Sequence, residues 1–261
     1  MRKLIIAEGL PCSGKSTASK YIAEKLGMKY YDEGNGHHPA DYEFHAFLTE
    51  AEFSLLKADE QAAVASFSEK KNGGYIIPLE KFSGSLFDKL LKHKIYDFLP
   101  WETEKPLILG KWREFAEKAL LSSAGYVFNC VFLQNPMCET MMRFGFEEIL
   151  SQHFISEIYS IIQPLEPFIV YLKTENIRAE IEKAVPERGN RWLSDVIDYH
   201  CGGEYGRQNG LRGFEGYISA LEERQRRELE ILSNIGIGYT VVENFKTDSK
   251  KAYDIILSDL K

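Results

Sequence analysis

The chain has little cysteine and no paired cysteine spacing: Cys12, Cys130, Cys138 and Cys201 stand apart, with no C-x-x-C among them. That pattern speaks against a disulfide framework and against a zinc-ligand set, and makes a reducing cytoplasm the default compartment. Long apolar runs are lacking as well. The most apolar later stretch, 154–172, is broken by Glu157, Gln163, Pro164, Glu166 and Pro167, so no membrane span is expected. The short apolar run after Arg2 and Lys3 leads directly into a glycine loop and does not read as a signal peptide. Positive charge is in the minority, with 32 Lys and Arg against 39 Asp and Glu and a net charge of −7. Surfaces that bind a nucleic acid polymer by neutralising many phosphates are usually basic overall, which argues against that class but not against a local basic pocket for one nucleotide. No repeat or low-complexity tract is visible.

What is present is concentrated near the start. Gly9-Leu10-Pro11-Cys12-Ser13-Gly14-Lys15-Ser16, followed by Thr17, matches G-x-x-x-x-G-K-[ST] without a gap. Phosphate binding requires these residue types because successive backbone N–H groups must turn toward the oxygens, which a glycine-bounded turn leading into a helix N-terminus allows. Lys15 is then expected to reach the β/γ-phosphates of ATP and Ser16 to meet Mg²⁺, with Pro11, Cys12, Ser13, Gly14 and Thr17 completing the cradle. Residues 3–7 read as a short buried strand, and Ala18, Tyr21, Ile22 and Leu26 fall at helical spacing, so the motif sits at a strand-to-helix junction.

Along the rest of the chain, 28–33 reads as a second strand ending in Asp32 and Glu33 before Gly34-Asn35-Gly36. A long aromatic-rich helical region is expected over 40–71, then an extended segment at 75–79 that Pro78 places at an edge or outside the main sheet. Helices are expected over 86–95 and from Pro106 to about 121, and a central parallel strand over 126–133. Helices around 138–144 and 147–162, a strand at 168–172 and a helix over 175–185 follow, the last stopped by Pro186-Glu187-Arg188-Gly189. The stretch 202–216 contains six glycines and reads as the most mobile segment. An amphipathic helix from Phe214 to Leu232, a strand at 239–242 and a helix over 249–260 close the chain. Strands separated by helices imply a parallel sheet covered on both faces, with a nucleotide bound at the carboxyl ends of the strands.

The entry Ala7-Glu8-Gly9 into the loop, together with the segment from Tyr171-Leu172 through Asn176-Ile177-Arg178 to Glu187-Arg188-Gly189-Asn190-Arg191, resembles the P-loop kinases of nucleosides and nucleotides, thymidylate kinase-like in outline. The resemblance implies a three-layer α/β fold with a parallel five-stranded sheet in a single kinase-like domain, a helical insertion over about 36–105 that enlarges the acceptor-binding part, and an arginine-bearing lid over about 175–215. It also implies an ATP- and Mg²⁺-dependent kinase of a nucleoside or nucleotide-like small molecule. A different class stays open, a P-loop ATPase or nucleotide-sensing protein that acts through a protein partner. Two departures set the chain apart. Asp32-Glu33-Gly34-Asn35 replaces the Arg-Glu-Pro-type stretch of the thymidylate members, and Leu133-Gln134-Asn135-Pro136 replaces an Asp-Arg stretch after the central strand.

Phosphoryl transfer asks mainly for positioning and charge neutralisation. Arg188 and Arg191, on a Pro/Gly-bounded turn, are expected to close over the transferring group; read without that context, the same turn is solvated surface. Glu33 is the candidate base at a strand's carboxyl end and Asp32 its alternative, since strand alternation lets one of the two face the site. No carboxylate is assigned to Mg²⁺; Glu8 is an indirect contributor. His37, His38 and Asp41 are candidates for an acceptor hydroxyl or base, and Arg113 and Arg143 for an acceptor anion. Neither membrane nor nucleic acid polymer is an expected partner, and a homodimer is compatible with the sequence.

Overall fold

A computed structural model describes residues 2–34, 36–243, 245–246 and 248–260; Asn35, part of the turn expected after the second strand, lies outside the described residues. In chain order the elements begin with β1 (Leu4–Gly9), α1 (Lys15–Leu26), β2 (Lys29–Tyr31), β3 (His45–Thr49), α2 (Glu50–Ser54), α3 (Ala58–Phe67), β4 (Glu69–Lys71) and β5 (Gly74–Pro78). Next come α4 (Gly84–Leu91), α5 (Trp101–Leu121), β6 (Tyr126–Asn129), α6 (Gln134–Met137), a π-helical stretch Cys138–Arg143, and α7 (Glu148–Ile162). The chain continues with β7 (Phe168–Lys173), α8 (Ile177–Cys201), α9 (Glu204–Gln208), α10 (Gly213–Asn234), β8 (Gly238–Glu243) and α11 (Ser249–Asp259). Two compact units result, one made of residues 1–32 and 116–261 and the other of 33–115.

The first unit holds the expected five-stranded sheet, in the order β2-β6-β1-β7-β8 with every pairing parallel. Every residue of β1 and β6 is buried, as strands covered on both faces must be. Alternation sorts their side chains. Ile5, Val127, Val170, Leu172 and Val242 form one cluster with Ala18 and Ile22 of α1 and with Ala252 and Ile256 of α11. Residues of opposite parity point to the other face, where the Tyr171 hydroxyl meets Glu228 of α10. The amphipathic pattern of α10 gives it a buried stripe through Tyr217, Leu221, Arg224, Glu228 and Leu232, while Arg226 and Arg227 pair with Glu223 outside it. No helix among the described residues is long and apolar enough to cross a membrane.

The second unit corrects an expectation. The region 40–71 is not a long helix, and the insertion is not purely helical: β3, β5 and β4 form a three-stranded antiparallel sheet. Ala46 and Leu48 of β3 pack with Val64 of α3, Ile77 of β5 and Leu90 of α4. The pairing of β3 with β5, from His45↔Pro78 to Thr49↔Gly74, decides the conformation, and such a partner is invisible in a local window. Gly74 is required at its place because a Cβ there would lie 2.2 Å from the Leu48 carbonyl oxygen.

Four smaller expectations change as well. Helix α5 starts at Trp101 rather than Pro106. Strand β6 stops at Asn129, four residues before the expected end. Pro186 does not stop α8, which is interrupted only at Gly189, where φ 87° and ψ 161° are open to glycine alone. The glycine-rich stretch 202–216 is packed rather than loose, since α9 lies within it and a Cβ on Gly203 would fall 2.1 Å from the Met142 carbonyl oxygen.

Candidate active site

The loop after β1 is shaped by residues with left-handed backbone. Gly9 (φ 140°), Cys12 (φ 66°) and Gly14 (φ 101°) depart from the usual handedness, and such alternation turns successive N–H groups toward one side. Close approach adds a second reason for glycine at two of these positions. A Cβ on Gly9 would lie 2.5 Å from the Leu172 carbonyl oxygen, and one on Gly14 would lie 2.7 Å from the ring of Phe245. The Ser13 N–H donates to the Leu10 carbonyl at 3.3 Å, and the Ala18 N–H donates to Gly14 at 3.0 Å as α1 begins. Lys15 is only 7% exposed, and its Nζ donates to the Leu10 carbonyl at 2.9 Å, which uses one of its three donors. Ser19 Oγ donates to the Lys15 carbonyl at 2.7 Å and pins the first turn.

Sheet register brings a second group to the loop. Asn129 is level with Ala7 of β1, and its neighbour Phe128 is level with Tyr31 of β2, so the carboxyl ends of three strands meet. Asn129 Nδ2 donates to Ser16 Oγ at 3.1 Å and to Asp32 Oδ1 at 2.6 Å. The carboxylate can only accept, which fixes the orientation of the amide. Asn129 was not among the sequence candidates. It is hidden in a strand expected to run on to Leu133, and its signal is available only once the strand is known to end there.

Glu8, the residue before Gly9, is fully buried. The N–H groups of Phe132, Leu133 and Gln134 donate to its carboxylate at 2.8, 2.9 and 3.3 Å. Burial, reinforced by Glu228, pushes its carboxyl up to about 7 against the pull of those amides and of Lys15. Beside it, Arg224 Nε donates to Glu228 at 2.6 Å with both side chains buried, and Tyr171 donates to the same carboxylate at 2.6 Å.

The remaining candidates divide sharply. Leu10 of the loop packs with Ile177 and Ile181 of α8 and Tyr217 of α10, and Cys12 and Trp192 sit against that cluster. Arg188 is exposed with its guanidinium 5.0 Å from the Trp192 ring centre. Burial pushes the Tyr217 hydroxyl up. Arg191 is directed to solvent, 96% exposed and 4.0 Å from Asp195. Arg143 is held by buried Glu139 at 2.6 Å. In the second unit, Glu33 helps to raise the carboxyl of Glu43, chiefly driven up by burial, to about 7. His38 and Asp41 are buried, His38 Nδ1 accepting from Ala40 N–H at 3.2 Å and Asp41 accepting from Glu43 N–H at 3.1 Å and from the Tyr96 hydroxyl. His37 and Arg113 are exposed.

Mg²⁺ favours oxygen ligands, one or two of them carboxylates, alongside nucleotide phosphates. The Ser16 hydroxyl and the Asp32 carboxylate fit that chemistry, and Asn129 ties one to the other.

The glycine loop leaving the central strand of a five-stranded parallel sheet is the P-loop α/β architecture expected from the sequence. A scan against protein-family models finds no match, and a search of the curated proteins finds none. Among solved structures the chain is similar to deoxyadenosine kinase from M. mycoides with bound dATP, at 16% identity and a TM-score of 0.45 over 98% of each chain. It is also similar to the YorR protein of Bacillus subtilis in complex with phosphorylated GDP, at 14% identity and a TM-score of 0.44 over 98% of this chain and 94% of that one. Thymidylate kinase from Candida albicans matches at 12% identity and a TM-score of 0.45, over 98% of this chain and 92% of that one. Identities this low leave substrate and residue roles to the geometry of the chain itself.

Proposed function

We propose that the chain is an ATP- and Mg²⁺-dependent kinase that transfers the γ-phosphoryl group to a small nucleoside or nucleotide-like acceptor. The observation that carries this reading is the hydrogen-bonded run Ser16–Asn129–Asp32 beside a complete phosphate loop with buried Lys15. Lys15 neutralises charge on the β- and γ-phosphates, and the loop amides hold their oxygens. Ser16 and Asp32 would hold Mg²⁺, which would supply further neutralisation of the transferring group. Arg188 approaches from α8 to stabilise charge as it develops, with Arg191 in a weaker supporting role. An acceptor hydroxyl gives up its proton to a carboxylate at the end of β2, either Asp32 or Glu33.

Incubation with labelled ATP, Mg²⁺ and a panel of nucleosides and nucleotides tests the reading. A kinase moves the label to one acceptor. Release of the label only as inorganic phosphate, whatever acceptor is offered, would favour an ATPase that works through a protein partner.

A further inference from the structure

The arginines of α8 and its neighbourhood differ in what holds them. Arg178 is paired with Glu215, Arg191 faces Asp195 at 4.0 Å, and Arg207 lies 2.7 Å from Glu204. Arg188 forms no ion pair among the described residues; its guanidinium lies over the Trp192 ring instead, 5.0 Å from the ring centre. Trp192 is itself half-buried against the cluster that contains Leu10 of the phosphate loop, Ile181 of α8 and Tyr217 of α10. Four residues separate Arg188 from Trp192, the spacing that brings side chains together on a regular helix. Here they meet although Gly189 between them is not helical, with φ 87° and ψ 161°. The contact is therefore not a by-product of helix periodicity.

A carboxylate and a ring face hold a guanidinium with different consequences. The carboxylate accepts from its N–H groups and cancels its charge. The ring attracts the cation through its quadrupole, carries no charge and takes none of the five N–H donors. Arg188 is thus held with charge and donors still available to an anion, whereas Arg191 has an acid beside it. Resting on the reading of the loop as a Mg·ATP site on which Arg188 acts, we propose that Trp192 is a positioning residue for Arg188. It seats the guanidinium against the cluster that also seats Leu10 of the loop, and so selects which exposed arginine serves the transferring phosphoryl group. The ring stays under the guanidinium while its N–H edge meets phosphoryl oxygens, so no contact has to break for Arg188 to act. It also restricts in advance the rotamers that a free arginine would lose on engaging a ligand.

A double-mutant cycle on the full chain tests this, reading turnover of labelled Mg·ATP either as transfer to a nucleoside or nucleotide or as release of phosphate. Trp192→Leu is expected to lower kcat by about two- to fivefold, the size of one exposed cation–π contact, with KM for ATP unchanged. Trp192→Tyr keeps a ring and should recover most of that loss. In the Arg188→Ala background, Trp192→Leu should change kcat by less than about 1.5-fold, because the residue it acts through is gone. The same background controls for folding, since a loss of packing would appear in it undiminished. Equal losses in the two backgrounds, or a Trp192→Tyr variant as impaired as Trp192→Leu, would overturn the proposal and leave Trp192 a packing residue. Full activity of Trp192→Leu beside an impaired Arg188→Ala would also overturn it, with the role of Arg188 left standing. An unimpaired Arg188→Ala would remove that role and the proposal together, while Lys15→Ala still reports on the loop.

Discussion

The phosphate loop and the arginine-bearing stretch of α8 belong to one compact unit and to one hydrophobic cluster, yet they are built in opposite ways. The loop is over-determined. Its glycines have nearby atoms that exclude a side chain, its lysine is buried, and its helix start is pinned by Ser19. The α8 stretch has an interruption at Gly189, where an added Cβ would meet nothing within 4 Å, and arginines exposed on either side of it. The contrast matches two demands of phosphoryl transfer. Groups that hold the ground-state phosphates gain from being fixed in advance, whereas groups that respond to developing charge must be free to arrive.

The hardest test of the fixed half is Lys15→Ala. Turnover should drop by on the order of 10³ or more, and the calorimetric heat of Mg·ATP should weaken markedly. Parent-like turnover in that variant would break the comparison at its root. For the adjustable half, Arg188→Ala should lower turnover by about 10² with only a modest change in ATP affinity. Arg191→Ala, at a side chain already surrounded by water, should change turnover by no more than about threefold. Equal losses in the two variants would mean that the exposed stretch rearranges as a whole and that its present geometry does not rank its arginines.

The Asp32-Glu33 pair offers a separate test. Asp32→Asn should weaken the Mg²⁺ dependence of turnover by roughly 10- to 100-fold, because the amide can no longer accept from Asn129 and support a cation together. Glu33→Gln separates the roles. If Glu33 is the base, it lowers turnover and leaves the Mg²⁺ titration unchanged. A shift in the Mg²⁺ midpoint for Glu33→Gln and none for Asp32→Asn would reverse the assignment.

Legibility in the sequence follows the range of the interactions concerned. The loop was readable because its backbone is set locally: the left-handed positions Gly9, Cys12 and Gly14 fall within six residues of chain. The central parallel strands β1, β6 and β7 were readable because burial on both faces leaves continuous apolar runs, as in Leu4-Ile5-Ile6-Ala7. β3 was not readable, because His45-Ala46-Phe47-Leu48-Thr49 becomes a strand through pairing with residues some thirty positions later. Asn129 escaped for a related reason. An amide matters there only because register places it between Ser16 and Asp32, which are far from it and from each other in sequence. Pro186 misled in the other direction. A proline costs a helix one hydrogen bond and a steric clash, a penalty that packing of Ile181 and Ala184 on one side and Trp192 on the other can offset, and the break fell instead at the glycine.

The smallest expected effect sharpens the comparison at the opposite end of α8, where one side chain, His200, is as buried as the loop lysine. His200 is 5% exposed, and its Nδ1 lies 2.8 Å from the Val196 carbonyl. A carbonyl only accepts, so Nδ1 carries the proton of the neutral ring. Burial, with Arg224 nearby, holds the imidazole down to about 4 from an ordinary value of 6.5. The sign follows directly. Between pH 6.5 and 4 the unfolded chain binds this proton and the folded chain does not, so the stability contributed above pH 6.5 is lost as pH falls toward 4. Glu8 works in the opposite sense, since its raised value lets the folded chain bind more protons between its ordinary 4.5 and about 7, and its contribution is lost as pH rises through that window. The two oppose each other, so the parent should show a shallow pH profile in urea unfolding. His200→Gln removes one side of the balance: relative to the parent, it should gain roughly 1–3 kcal/mol on passing from pH 7 to pH 4.5. An unchanged difference between the two chains across that range would show that His200 is protonated in place, and that its buried site tolerates charge.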